Sequence, residues 1–334
     1  VDSGSLAHPT LHLLIFPMLI KPQIEIPEKL PFLQRLCWQR EDIENLTLLE
    51  MLRIYERGWH YRGVLGDLSQ TEALFVRQLA QSYDSWLGAQ MFQREFHQKI
   101  LNILNQLKAN FLLECGAYFG GGTLISLNNG EYRLSKDIDF LCSTGIGYRL
   151  LRQKIAENQY NALFNTQNNL DLPGEIKADQ YGVRFAIIVD ETLIKFEIIM
   201  EGRIELGEPD YPSWSPVPCL NQIDSFAEKL LANSDRWNDS SVESRDLIDL
   251  AVQRLKSPIP KEAIEKAESA YPVIEPLKKA ISFFQNNPNY RNKCFTALRI
   301  VEFSKIIDGI DLMAADLYLE KTARTFSECK QDGE

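Results

Sequence analysis

Asp137 and Asp139 stand one residue apart in front of an apolar run, within the stretch FGGGTLISLNNGEYRLSKDIDFLCS at 119–143. In an extended strand, side chains alternate between faces, so both carboxylates share one face and Ile138 takes the other. Two like charges so placed repel unless a cation or a proton joins them. With no Cys or His nearby on that face, hard oxygen donors favour Mg²⁺ or Mn²⁺ over zinc. Magnesium keeps waters and recruits substrate phosphates, which points to nucleotide chemistry. All four histidines (His8, His12, His60 and His97) precede residue 100. Chemistry at the motif is therefore expected to run without a histidine base.

Gly120, Gly121 and Gly122 lead directly into TLISL. A helix starting there presents backbone N–H groups to a phosphate, and Thr123 adds a hydroxyl. Glycines that serve only a turn are the alternative. A two-metal site needs a third carboxylate. LIKFEII offers Glu197, with Lys195 on the same strand face, although a half-exposed strand explains that alternation equally well.

Elements must hold these residues in place. Residues 111–115, FLLEC, read as a short buried strand that enters the glycine cluster, and DIDFLCS as a second strand. GYRLLRQKIAEN reads as a helix, and YGVRFAIIVDETLIKFEIIM as a hairpin turning near Asp190 and Glu191. Strand, helix, strand, helix and hairpin make an α/β pattern with a mixed sheet. Pro209, Pro212, Pro216 and Pro218 then mark a linker, after which the chain is helical to its end. Upstream, Asn45 is the expected cap of a helix carrying Leu48, Leu49, Leu52 and Tyr55, with Gly58 and Gly63 breaking it. Ser69 and Glu72 form an S-x-x-E capping box. Phe92, Phe96, Ile100, Ile103, Leu104 and Leu107 follow a helical period.

The chain has 334 residues, enough for two domains, and a net charge of −10 argues against a surface that grips nucleic acid all over. A local basic groove is still compatible with that charge. One stretch stands out: from 276 to 301 there is no acid, while Lys278, Lys279, Arg291, Lys293 and Arg299 interleave with Phe283, Phe284, Tyr290 and Phe295. Charge with stacking rings suits an RNA end. A helix pair with a buried aromatic face looks the same. Cysteines at 37, 115, 142, 219, 294 and 329 form no CxxC, the pattern of reduced thiols in a cytoplasmic protein. The apolar run 11–20 is too short to span a bilayer.

Together, GGT…RLSKDIDF resembles the GG-[ST]…DxD signature of polymerase-β-like nucleotidyltransferases, and within them the AbiEii/AbiGii-type toxin family. Gly121, Gly122 and Thr123 match the first element; Arg133, Ser135, Asp137 and Asp139 match the second. Downstream, AEKLLA with Lys229 and RDLIDL with Arg245, Asp246 and Asp249 look like the family's later lysine and Asp-rich motifs. The resemblance covers roughly residues 95–255. GGTLI stands where GGTAL is usual, and Glu197 where many relatives have Asp.

The resemblance implies transfer of a nucleoside monophosphate from an NTP to an acceptor hydroxyl, in a toxin of phage defence. By that analogy Asp137, Asp139 and Glu197 hold Mg²⁺ or Mn²⁺, with Glu197 as ligand or base. Gly121, Gly122, Thr123, Arg133, Ser135 and Lys229 meet the nucleotide, and Asp246 orients the nucleotide or Lys229. The acceptor is an RNA, such as a tRNA 3′ end, or a protein hydroxyl, and a cognate antitoxin is an expected partner. The expected fold is an α/β (α+β) nucleotidyltransferase-like mixed sheet with a helical C-terminal domain and a helical N-terminal extension. Its layout is a leader at 1–26, the extension at 27–90, the catalytic domain at 91–208, the linker at 209–222 and the helical domain at 223–334. A nucleotide-binding regulator or toxin–antitoxin partner with vestigial catalysis is the alternative. A kinase fits less well, because no lysine follows the glycine cluster as GxxxxGK[ST] requires.

Overall fold

The computed structural model describes residues 24–38, 45–62, 64–66, 68–83, 85, 87, 92, 94–165, 170–212, 214–325 and 328. The apolar run 11–20, Gly63 and Cys329 lie outside them. The chain divides into two compact units, 1–87 and 88–334.

The first unit contains α1 (Pro31–Leu36), α2 (Leu48–Gly58) and α3 (Gln70–Ser82). The cap of α2 is Thr47 rather than Asn45: its hydroxyl and the Glu50 carboxylate close a reciprocal capping box. The Ser69–Glu72 box forms only by half. Ser69 Oγ accepts the Glu72 N–H at 3.2 Å, but the Glu72 carboxylate is fully buried. It accepts the N–H groups of Phe32 (2.9 Å) and Leu33 (2.8 Å) and the Tyr55 hydroxyl (2.8 Å). Glu72 thus caps α1 instead of its own helix, and burial together with that carboxylate raises the Tyr55 pKa.

The second unit opens with α4 (Glu95–Asn105) and α5 (Ala109–Glu114). FLLEC is therefore helical, not a strand. Leu112 and Cys115 are buried while Leu113 is exposed, a three-residue spacing that only a helix turns inward. Gly116, at φ +64°, then reverses the chain into β1 (Ala117–Gly120). There follow α6 (Gly121–Asn128), β2 (Asp137–Cys142), α7 (Gly145–Asn158) and α8 (Tyr160–Leu163). The sheet is completed by β3 (Lys177–Ala178), β4 (Gly182–Val189) and β5 (Thr192–Met200) in the order β1-β2-β5-β4-β3. It is mixed: β2 runs parallel to β5 and the other pairs are antiparallel. Asp190 and Glu191 both have positive φ, as a two-residue hairpin turn demands.

The Pro-rich stretch is packed backbone. Phe119 N–H donates to the Pro218 carbonyl and Leu220 N–H to the Phe119 carbonyl, each at 2.8 Å, while Trp214, Val217 and Cys219 are buried. Beyond it come α9 (Gln222–Arg236), α10 (Arg245–Lys256), α11 (Lys261–Glu268), α12 (Ile274–Asn286), α13 (Pro288–Ala297) and α14 (Phe303–Asp316). Their buried residues form a hydrophobic core distinct from the one on the sheet. Among the described residues, no helix is long and apolar enough to cross a membrane.

Candidate active site

The register of β2 against β5 sets Asp139 opposite Glu197 and Asp137 opposite Lys195. All four side chains line one cleft of about 580 Å³. On the other side of β2, Gly120 lies opposite Asp139, and the chain turns at once into α6. Gly121 makes that turn at φ +67°, and a Cβ there would stand 2.6 Å from Asp139 Oδ2. Glycine is therefore required twice over, for the left-handed backbone and for the approach of the carboxylate. Burial, then Asp137 and Glu197, push the Asp139 carboxyl up to about 6, against the pull of Lys229 and Lys195.

Thr123 is fully buried. Its hydroxyl donates to the Asp137 carbonyl at 2.6 Å and lies 2.9 Å from Ser135 Oγ, so it braces α6 against the acidic strand. Ser135 lines the cleft, and its N–H donates to His97 Nε2 at 3.2 Å. His97, itself fully buried, directs Nδ1 to Glu131 at 2.8 Å. That pattern makes Nδ1 the protonated nitrogen and gives this histidine a bracing task.

Arg133 and Lys229 meet through the two aspartates of α10. The Arg133 guanidinium grips Asp249 bidentately, at 2.6 and 2.9 Å, and Tyr132 Oη donates to the same carboxylate. A Cβ on Gly122 would fall 1.9 Å from Arg133 Nη2, so the guanidinium passes over this glycine. Lys229 Nζ lies 2.7 Å from Asp249 and 2.8 Å from Asp246. Arg236 in turn holds Asp246 at 2.6 and 3.0 Å. Burial alone would raise both aspartates. Lys229 and Arg236 outweigh it at Asp246, and Arg133 and Lys229 at Asp249, so the pKa of each is held below the usual carboxylate range. The chain Arg133–Asp249–Lys229–Asp246–Arg236 binds the helices to the DxD loop and fixes Lys229 in the cleft.

Glu197 is engaged by two cations. It accepts from Arg184 Nε at 3.1 Å and lies 2.5 Å from Lys195 Nζ. Among the described residues, no three His, Cys, Asp or Glu side chains are gathered to hold a metal ion. The donors that suit a hard divalent cation are the Asp137–Asp139 pair, with Glu197 in register and screened by two cations. Sequence reasoning missed Arg184 and Arg236. Counting back from the Asp190–Glu191 turn pairs Arg184 with Glu197 and would have found the first. Arg236 lies seven residues after Lys229, two turns along the same helix face, which was the signal for the second.

The acid-free stretch is mostly core. Arg291 is fully buried, clasping Glu328 at 2.9 and 3.0 Å, and Phe284 and Phe295 are buried with it. Lys278 is paired with Glu275 at 2.7 Å. The five cations therefore do not form one RNA-binding face; Arg299 lines a different cavity.

No curated protein matches the chain. Two crystal structures from Helicobacter pylori match it in part. The structure of JHP933 is 18% identical, with a TM-score of 0.38, over 66% of this chain and 89% of its own. A second, which carries a provisional nucleotidyltransferase name, is 19% identical with a TM-score of 0.39, over 66% of this chain and 92% of its own. At that distance neither bears on the chemistry of the site. The family model of the nucleotidyl transferase AbiEii toxin, of type IV toxin–antitoxin systems, matches residues 102–273. That match spans the glycine turn, the DxD strand, Glu197, Lys229 and both aspartates of α10, and the chain belongs to the AbiEii nucleotidyltransferase toxin family.

Proposed function

We propose that this nucleotidyltransferase moves a nucleoside monophosphate from an NTP to an acceptor hydroxyl, with Asp137 and Asp139 holding Mg²⁺ or Mn²⁺. The observation that carries the reading is the register of β2 on β5. It places both aspartates and Glu197 on one face of the sheet, directly under the glycine turn. When bound, the metal supplies positive charge to the triphosphate and lowers the pKa of the attacking hydroxyl.

The chain's own residues do the rest. Backbone N–H groups at Gly121 and Gly122, at the start of α6, meet the phosphates, with Ser135 beside them. Thr123 keeps that helix start fixed on the Asp137 carbonyl. Lys229, oriented by Asp246, faces the phosphates, and Arg133 holds the arrangement through Asp249. The acceptor oxygen forms a bond to the α-phosphorus as the bond to the β-phosphate oxygen breaks, and pyrophosphate leaves. Glu197 takes the hydroxyl proton once Arg184 and Lys195, both partly exposed, swing away. The acceptor is an RNA, with a tRNA 3′ end as one form, or a protein hydroxyl, and a cognate antitoxin restrains the enzyme. The Asp137–Asp139 pair lining one cleft with Lys229 counts against a vestigial site.

The test incubates the protein with Mg²⁺, total RNA or total protein, and an NTP labelled at either the α- or the γ-phosphate. Label from the α position should end on a macromolecule while pyrophosphate is released. Transfer of the γ label instead would mean a kinase and overturn the reading.

A further inference from the structure

The cleft has two unlike ends. Along β5 a period of two brings Lys195, Glu197, Ile199 and Glu201 to one face, and all of them line the cleft. Past Ile199, which pairs with Leu141 of β2, the lining turns acidic. Arg203 is taken up there by Glu201 at 2.6 Å, Glu228 at 2.9 Å and Asp235 at 3.2 Å, so this end carries more carboxylates than cations. Arg133, Lys195, Lys229 and Arg236 are each held by a carboxylate as well. Lys136 and Arg245 also line the cleft, and among the described residues they form no ion pair. Lys136 is exposed, whereas Arg245 is half-buried. Arg245 opens α10 next to Asp246, the carboxylate that holds Lys229. The two residues before it, Glu243 at φ +50° and Ser244 at φ +49°, are both left-handed, a conformation that such side chains adopt at a cost. Ser244 is buried, with its hydroxyl 3.1 Å from Tyr290 Oη. Two strained residues in succession thus deliver an unpaired arginine to the cleft that Lys229 lines.

We infer that Arg245 binds the γ-phosphate of the NTP, so that the triphosphate runs from Asp137 and Asp139 toward the start of α10. The inference rests on the transfer reading above and assigns the far end of its substrate. A guanidinium offers phosphate paired donors in a fixed fork, and at Arg245 no carboxylate occupies that fork. The Glu201–Glu228–Asp235 end repels an anionic tail, which leaves the nucleoside to lie over Leu141 and Ile199. When the bond from the α-phosphorus to its bridging oxygen breaks, the β- and γ-phosphates leave together. Arg245 stays on the leaving group through that step, and a diphosphate, which lacks the γ-phosphate, is the poorer ligand. Contact of Arg245 with the α- or β-phosphate is the competing placement.

The test compares wild type with Arg245→Gln, which keeps the stem and removes the charge, and Arg245→Lys, which keeps the charge and removes the fork. Calorimetric titration in Mg²⁺ with ATP, GTP, CTP and UTP, and then with the matching diphosphates, reads the preference for a γ-phosphate as a ratio of affinities. Arg245 has no ion pair to lose, so melting temperatures without ligand should match wild type. Wild type should bind its best NTP about tenfold or more tighter than the matching NDP, as charge-assisted hydrogen bonds to one more phosphate imply. Arg245→Gln should bring the NTP down to the NDP level while NDP affinity stays within about twofold of wild type. Arg245→Lys should fall between the two. A ratio unchanged in Arg245→Gln would overturn the inference, as would wild type that binds NTP and NDP alike. Equal loss of both ligands would place Arg245 on an inner phosphate and overturn it too. If the ratio collapses but wild type transfers no α label, the transfer reading fails and the γ-phosphate site stands. If wild type transfers α label and the ratio does not move, the reverse holds.

Discussion

Asp139 meets the Gly121 turn, Asp137 and Glu197 in a half-buried setting, and its carboxyl is pushed up to about 6. A carboxyl raised in the folded state favours the native protein when protonated. Its contribution is complete below the unfolded value near 3.8 and is lost as pH rises through about 6. In chelator, the wild type should therefore lose stability across that window, by at most about 3 kcal/mol at roughly 1.4 kcal/mol per unit. Asp139→Asn should lack this loss and melt higher at neutral pH. Denaturant unfolding of both proteins in chelator from pH 4 to 7 checks this, and parallel profiles would contradict it. At this scale the sequence was most informative where residues repeat a spacing. Asp137 and Asp139 were legible because strand geometry dictates their shared face. The partners of Glu197 and Asp246 were not, because they depend on how a strand pairs and how two helices pack.

The turn from β1 into α6 joins the two halves of the motif. Gly121→Ala should cost stability by about 1–2 kcal/mol for the left-handed backbone and in addition displace Asp139, abolishing most transfer. Gly130 supplies the control: it has φ +74°, yet a Cβ there meets nothing within 4 Å. Gly130→Ala should show the stability cost and keep its activity. Equal loss of transfer in the two variants would mean that the close approach of Gly121 to Asp139 is irrelevant. Elements were legible unevenly. The DIDFLC strand, the following helix and the hairpin could be read from periodicity and turn residues. FLLEC could not, because a five-residue apolar run looks the same as strand or helix. Only the burial of Leu112 with Cys115, and the exposure of Leu113, tells which.

Across the whole molecule, charge is distributed in a way that composition hides. Arg291, one of the candidates for a nucleic-acid surface, is locked on Glu328 in the core. A pairing that spans 37 residues leaves no local trace. Arg94, Lys136 and Arg299 instead come from three distant segments to line one cavity beside the cleft. Transfer nevertheless depends on the DxD strand, if Asp137 and Asp139 hold the metal. Its most direct test is single-turnover transfer from an α-labelled NTP by wild type and Asp139→Asn at saturating Mg²⁺. The rate in the variant should be lower by about three orders of magnitude, with its fold intact by melting. A variant that transfers label within tenfold of wild type would contradict it.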